Sequence, residues 1–114
     1  MPYLRIQTNR SVDDAEKKDL TRLASALLAR ELGKPESYVM VAFAPRQPML
    51  FGGSDAPCAY IEMKSIGLPT ARVQTLSQAL CRLLDDALKI PPARVYIEFS
   101  DVKASLWGWD GATF

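Results

Sequence analysis

Apolar positions along the chain fall into two repeating patterns. Leu20, Leu23, Ala24, Leu27, Leu28 and Leu32 recur at spacings of three and four, which predicts one helix over about residues 13–32. Ser11-x-x-Asp14 offers a cap for its start, and Gly33 a stop. Val73, Leu76, Leu80, Leu83, Leu84, Ala87 and Leu88 share the face of a second helix, bounded by Pro69 and by Pro91-Pro92. Tyr3–Thr8, Tyr38–Ala44, Ala59–Ile66 and Val95–Ser100 are rich in β-branched and aromatic residues, the composition of strands.

The predicted order is β-α-β-β-α-β, and the two halves echo each other. A shift of 56 places Leu32 on Leu88, Pro35 on Pro91, Val39 on Val95 and Phe43 on Phe99. It also superposes Leu20, Leu27 and Leu28 on Leu76, Leu83 and Leu84. Two β-α-β units with right-handed crossovers form an α/β, two-layer α+β domain spanning residues 1–114. Its expected core is a four-stranded mixed sheet with two helices on one face. The Tyr38–Ala44 stretch lacks polar alternation, so both its sides are expected to be buried. Exposed apolar area is penalised by roughly 25 cal/mol per Å², so an oligomer is expected to cover the second face.

Composition then removes several function classes. Fourteen Lys and Arg against thirteen Asp and Glu leave a net charge of +1, too little field for a nucleic-acid or anionic-membrane binder. No apolar run reaches the roughly 20 residues of a membrane helix. The opening Met1-Pro2-Tyr3-Leu4-Arg5 lacks the pattern of a signal peptide, so a cytoplasmic protein is expected, with leaderless release as the second route. Two cysteines, Cys58 and Cys81, do not make a disulfide scaffold. The chain has no histidine, which excludes His-based triads and His-containing metal sites. Gly52-Gly53-Ser54 has no following Lys-Ser/Thr and reads as a turn rather than a phosphate loop. Glu16, Lys17, Lys18 and Asp19 read as the solvated face of the first helix.

Eight features stand in an order seen in one known family. They are Pro2 after Met1, Thr8-Asn9, Gly33-Lys34-Pro35, Phe51-Gly52-Gly53-Ser54, Pro57-Cys58-Ala59, Ser65-Ile66-Gly67, Arg94-Val95-Tyr96-Ile97 and, near the end, Trp109. Trp107 departs from the family residue at its position. The whole chain resembles the macrophage migration inhibitory factor branch of the tautomerase superfamily more than D-dopachrome tautomerase. The resemblance implies a homotrimer and a cofactor-free, metal-free keto-enol isomerase acting on small aromatic α-keto acids such as phenylpyruvate. D-dopachrome is a further substrate it allows.

The resemblance assigns the chemistry to Pro2. With Met1 removed, Pro2 carries a secondary amine; an ordinary α-amine titrates near 7.7–8.0. Burial and a neighbouring cation such as Lys34 favour its neutral form, which a general base requires. Lys34 matches the family's ligand for substrate carboxylate or carbonyl oxygen, and Ile66 the residue whose backbone N–H meets the same oxygen. Tyr96 matches an aromatic wall lent by a neighbouring subunit, while Tyr38 and Trp109 match pocket-lining positions. Lys34 read alone is a lysine closing a helix, and Tyr96 read alone is a strand aromatic.

Two further positions concern specificity. Glu98 stands where the human-type pattern has asparagine, and Trp107 where it has valine. A Glu98 carboxylate beside Pro2 favours the protonated amine and opposes acidic groups at the distal end of a substrate. Trp107 narrows the mouth or extends its apolar wall. Cys58-Ala59-Tyr60-Ile61 lacks the second thiol of a Cys-x-x-Cys pair, so no thiol-disulfide reductase activity is expected. The alternative function is a cytokine-like secreted ligand that mimics macrophage migration inhibitory factor at a host receptor, with weak catalysis. Arg46, where the human-type pattern has aspartate, reverses a charge in that reading.

Overall fold

The computed structural model describes residues 1–114. Strand β1 (Pro2–Thr8) leads to helix α1 (Asp14–Leu32), then β2 (Met40–Ala44) and β3 (Ala59–Ile66). Helix α2 (Val73–Leu88), β4 (Val95–Val102) and a short hairpin of β5 (Gly108–Trp109) and β6 (Ala112–Thr113) follow. The main sheet runs β2-β1-β3-β4, with β1 parallel to β2, antiparallel to β3, and β3 parallel to β4. This is the expected four-stranded mixed sheet with both helices on one face; the hairpin had no signal in the apolar pattern.

Helix α1 starts differently from the sequence reading. Its cap is Asp13, not Ser11: Asp13 Oδ1 accepts from the Glu16 amide at 2.8 Å, and Glu16 Oε1 accepts from the Asp13 amide at 3.4 Å. Glu16 is therefore half of a capping box rather than only part of a solvated face. Gly33 ends the helix in the left-handed region at φ 62°.

The 56-residue echo extends to the backbone. The 3-10 turn Glu36–Tyr38 before β2 corresponds to Pro92–Arg94 before β4, and Gly33 corresponds to Lys89, which caps α2 at φ 57°. Tyr38 accordingly lies in a turn and not at the start of a strand.

Alternation along β1 and β3 turns Leu4, Ile6, Ala59, Ile61 and Met63 towards the helices. There they join Leu20, Leu28, Leu76, Leu80 and Leu84 in one core. Val39, Val41 and Phe43 pack on the same core, so the apolar Tyr38–Ala44 stretch is served on one side by the chain itself. The other side of β2 carries Met40, Ala42 and Ala44. Its sheet neighbours on that open face include Arg5, Glu62, Lys64 and Glu98. The open face is therefore mixed in character, and less apolar than β2 alone suggests. None of the four ion pairs in the chain involves those charged residues.

Candidate active site

Pro2 begins β1 and is buried on its helix-covered side, paired with Ser65 of β3. An apolar cleft of about 360 Å³ opens beside it, lined by Pro2, Tyr38, Met40, Trp107, Trp109 and Phe114 among others. The cleft's aromatic wall is self-supporting. Tyr38 meets Trp109 edge-on at 6.1 Å, and Trp109 stacks on Phe114 at 5.5 Å. The β5–β6 hairpin brings Trp109 into this position, and Phe114 is tied back by its amide to the Trp107 carbonyl at 3.2 Å.

Lys34 follows the α1 cap directly, so the left-handed turn at Gly33 aims the lysine back towards the sheet. Its Nζ donates to the Ile66 carbonyl at 2.8 Å. Ile66 thus meets Lys34 through its carbonyl oxygen, the other end of the backbone from the N–H expected to matter. One ammonium has three donors, and this bond uses one of them.

The electrostatics at the chain start are distinctive. The Met1 α-amine is lowered from its ordinary 8.0 to about 6, first by burial, then by the charge of Lys34 and a hydrogen bond with it. All three influences favour a neutral amine. Pro2, Lys34, Ile66, Tyr38, Trp107 and Trp109 are gathered at this end of the sheet.

Tyr96 and Glu98 are not. Tyr96 pairs with Tyr60, five residues along β3 from Ser65, or roughly 16 Å at the rise of a strand. Both point from the open face, whereas Pro2 faces the helices. Glu98 accepts from the Tyr60 hydroxyl at 3.2 Å, and loss of solvation, followed by the Glu98 and Glu62 carboxylates, raises the Tyr60 pKa. Tyr96 instead packs on Phe51 at 4.6 Å beside a second apolar hollow of about 360 Å³. A single subunit therefore does not bring Tyr96 and Glu98 to Pro2. A hollow of about 590 Å³ along α2 is larger, but its lining, including Gln78, Arg82, Asp85 and Asp86, is almost wholly polar. It brings together no base with an apolar wall.

Comparison with known proteins bears on the family and the fold. The sequence matches the family "Macrophage migration inhibitory factor (MIF)" over residues 1–114. It is 44% identical over 115 residues to a macrophage migration inhibitory factor homolog of Brugia malayi, covering 100% of this chain and 99% of that one. It is 40% identical over 118 residues to macrophage migration inhibitory factor of Mus musculus, again covering 100% and 99%. The crystal structure of the homologue from Prochlorococcus marinus superposes with a TM-score of 0.93 at 42% identity, covering 98% of each chain.

The chain belongs to the macrophage migration inhibitory factor family. Its β-α-β-β-α-β architecture is the fold of the tautomerase superfamily. In this member of the macrophage migration inhibitory factor family, Phe114 and Met40 were missed as cleft residues by sequence reasoning. Phe114 is the last residue and Met40 one apolar residue among many, so neither carried a local signal. Cys58 is buried at 1% exposure and Cys81 half-buried, both free. Burial raises the Cys81 thiol pKa, which disfavours the reactive thiolate.

Proposed function

We propose that the chain, once Met1 is removed, is a cofactor-free keto-enol tautomerase of phenylpyruvate-like aromatic α-keto acids, with Pro2 as general base. The observation that carries the reading is the placement of buried Pro2 in an aromatic cleft, next to the Lys34 ammonium. An amine there experiences the same burial and positive charge that lower the Met1 amine. The neutral Pro2 nitrogen takes the enol hydroxyl proton. The C–O bond becomes C=O as the C=C electrons take a proton from the resulting ammonium at carbon. Atoms and electrons balance without metal, oxidant or covalent intermediate. The free donors of Lys34 hold the substrate carboxylate and the oxygen that gains charge. The Tyr38–Trp109–Phe114 wall accepts the aromatic ring.

The working unit in this reading is a homotrimer whose sites combine Pro2, Lys34 and Ile66 of one subunit with Tyr96 and Glu98 of the next. Their separation and opposite facing within one subunit support that division. Mass spectrometry of the N-terminus and an enol-phenylpyruvate assay on the same sample test the function. Protein beginning at Pro2 should ketonise the substrate, and an inactive processed sample overturns the reading. Sedimentation should give a trimer; a stable monomer at micromolar concentration removes the composite site.

Family membership also supports a second reading, a cytokine-like ligand released from the cell. Arg46, exposed on the loop after β2, counts against it, because it reverses the charge of the human-type receptor-binding pattern. Substituting Pro2 separates the two, since it abolishes catalysis and leaves a receptor surface intact.

A further inference from the structure

We propose that Arg94 is a positioning residue for the aromatic wall supplied by Tyr96. This rests on the reading above, in which Tyr96 completes a neighbour's pocket. Arg94 ends the turn before β4, and its guanidinium binds four carbonyls of one loop. Nε donates to Pro57 at 3.0 Å, Nη1 to Phe51 at 3.1 Å, and Nη2 to Ser54 and Ala56, each at 3.0 Å. The Asn9 side chain holds the same loop from the other side. Its Nδ2 donates to Asp55 and Ala56 at 3.0 and 3.2 Å, and its Oδ1 accepts from the Cys58 amide at 3.0 Å.

Thr8-Asn9, Phe51-Gly52-Gly53-Ser54, Pro57-Cys58 and Arg94 are far apart in the chain, yet they meet in this one cluster. The loop needs such a clamp. Gly52 and Gly53 both take positive φ, at 60° and 77°, and only the Phe51–Ser54 bridge pairs its backbone with itself. The guanidinium plane also lies over the Phe51 ring at 5.2 Å, and Phe51 packs on Tyr96 at 4.6 Å. Fixing the loop therefore fixes Phe51, and Phe51 fixes Tyr96, a side chain that is 65% exposed in the single chain. Holding an exposed aromatic in one orientation removes an ordering cost when it enters a pocket.

Lysine keeps the charge of Arg94 but lacks the planar fork, so it cannot bind four carbonyls at once. Arg94→Lys, tested as the processed full chain, should raise KM for enol phenylpyruvate by roughly threefold to tenfold, the span of a displaced aromatic contact, with a smaller change in kcat. In a Tyr96→Ala background the same substitution should add almost nothing, because its route of action is gone. Phe51→Leu keeps the carbonyl bonds and breaks the relay, so it should raise KM in the same direction and serves if Arg94→Lys does not fold. Equal KM effects with and without Tyr96, or an unchanged KM in both single variants, overturn the proposal while the tautomerase reading stands. An inactive processed wild type overturns that reading and this role together.

Discussion

At one end of the sheet Pro2, Tyr38 and Trp109 border a hollow of about 360 Å³, and at the other Phe51 and Tyr96 border a second of equal volume. Both are apolar, and each has a cation close by. The difference lies in how that cation is used. Lys34 donates to one carbonyl and turns its remaining donors towards the chain-start amine and the cleft, whereas Arg94 spends four of its five on a loop. The first end also holds the chain-start amine, lowered to about 6. Hollow size therefore says little about chemistry here; a free cation beside a neutralised amine says much more.

The largest test of that contrast is to remove the base. Pro2→Ala, or one residue added before Pro2 so that its nitrogen becomes an amide, should reduce kcat by about 10²–10⁴-fold, or roughly 3–5 kcal/mol of barrier. Steady-state ketonisation kinetics measure this, and near-normal turnover would end the proposed mechanism. Lys34→Ala comes next. Losing a charged hydrogen bond of about 1.5–3 kcal/mol should raise KM roughly tenfold to a hundredfold, with a smaller fall in kcat.

A pH experiment addresses the amine directly in chain that retains Met1. Its folded value near 6 lies below the ordinary 8.0, so between these the unfolded chain binds more protons. Stability should therefore rise as pH increases from about 6 to 8 and level off above. Denaturant midpoints across that range report it, and a flat profile would remove the electrostatic distinction between the two ends. The smallest effect belongs to Glu98→Gln in processed protein. Removing the negative charge that the neighbouring subunit brings to Pro2 in the proposed trimer should lower the apparent pKa of the rate profile, and an unmoved profile places Glu98 outside the site.

The capping of the helices shows how far local sequence reaches. Gly33 was legible as a left-handed stop because glycine adopts positive φ without steric penalty. Lys89, its counterpart in the second half, adopts φ 57° although lysine does not favour it. The neighbouring Ile90 is fully buried, and its packing overrides the local preference. At the start of α1, Ser11 and Asp13 both suit a cap, and only the backbone geometry chose Asp13.

The sequence by itself determined the two helices, the four strands, their order and their internal echo, because apolar spacing encodes which face of each element must leave water. It also marked Pro2 and Lys34, whose neighbours in the chain carry recognisable motifs. Tertiary structure alone decided that the open face is mixed in charge and that Phe114 folds back onto Trp109. It alone also brought Asn9 and Arg94 to the same loop. Those relations join residues tens of positions apart, and strand register and chain reversal fix such distances where no local pattern records them.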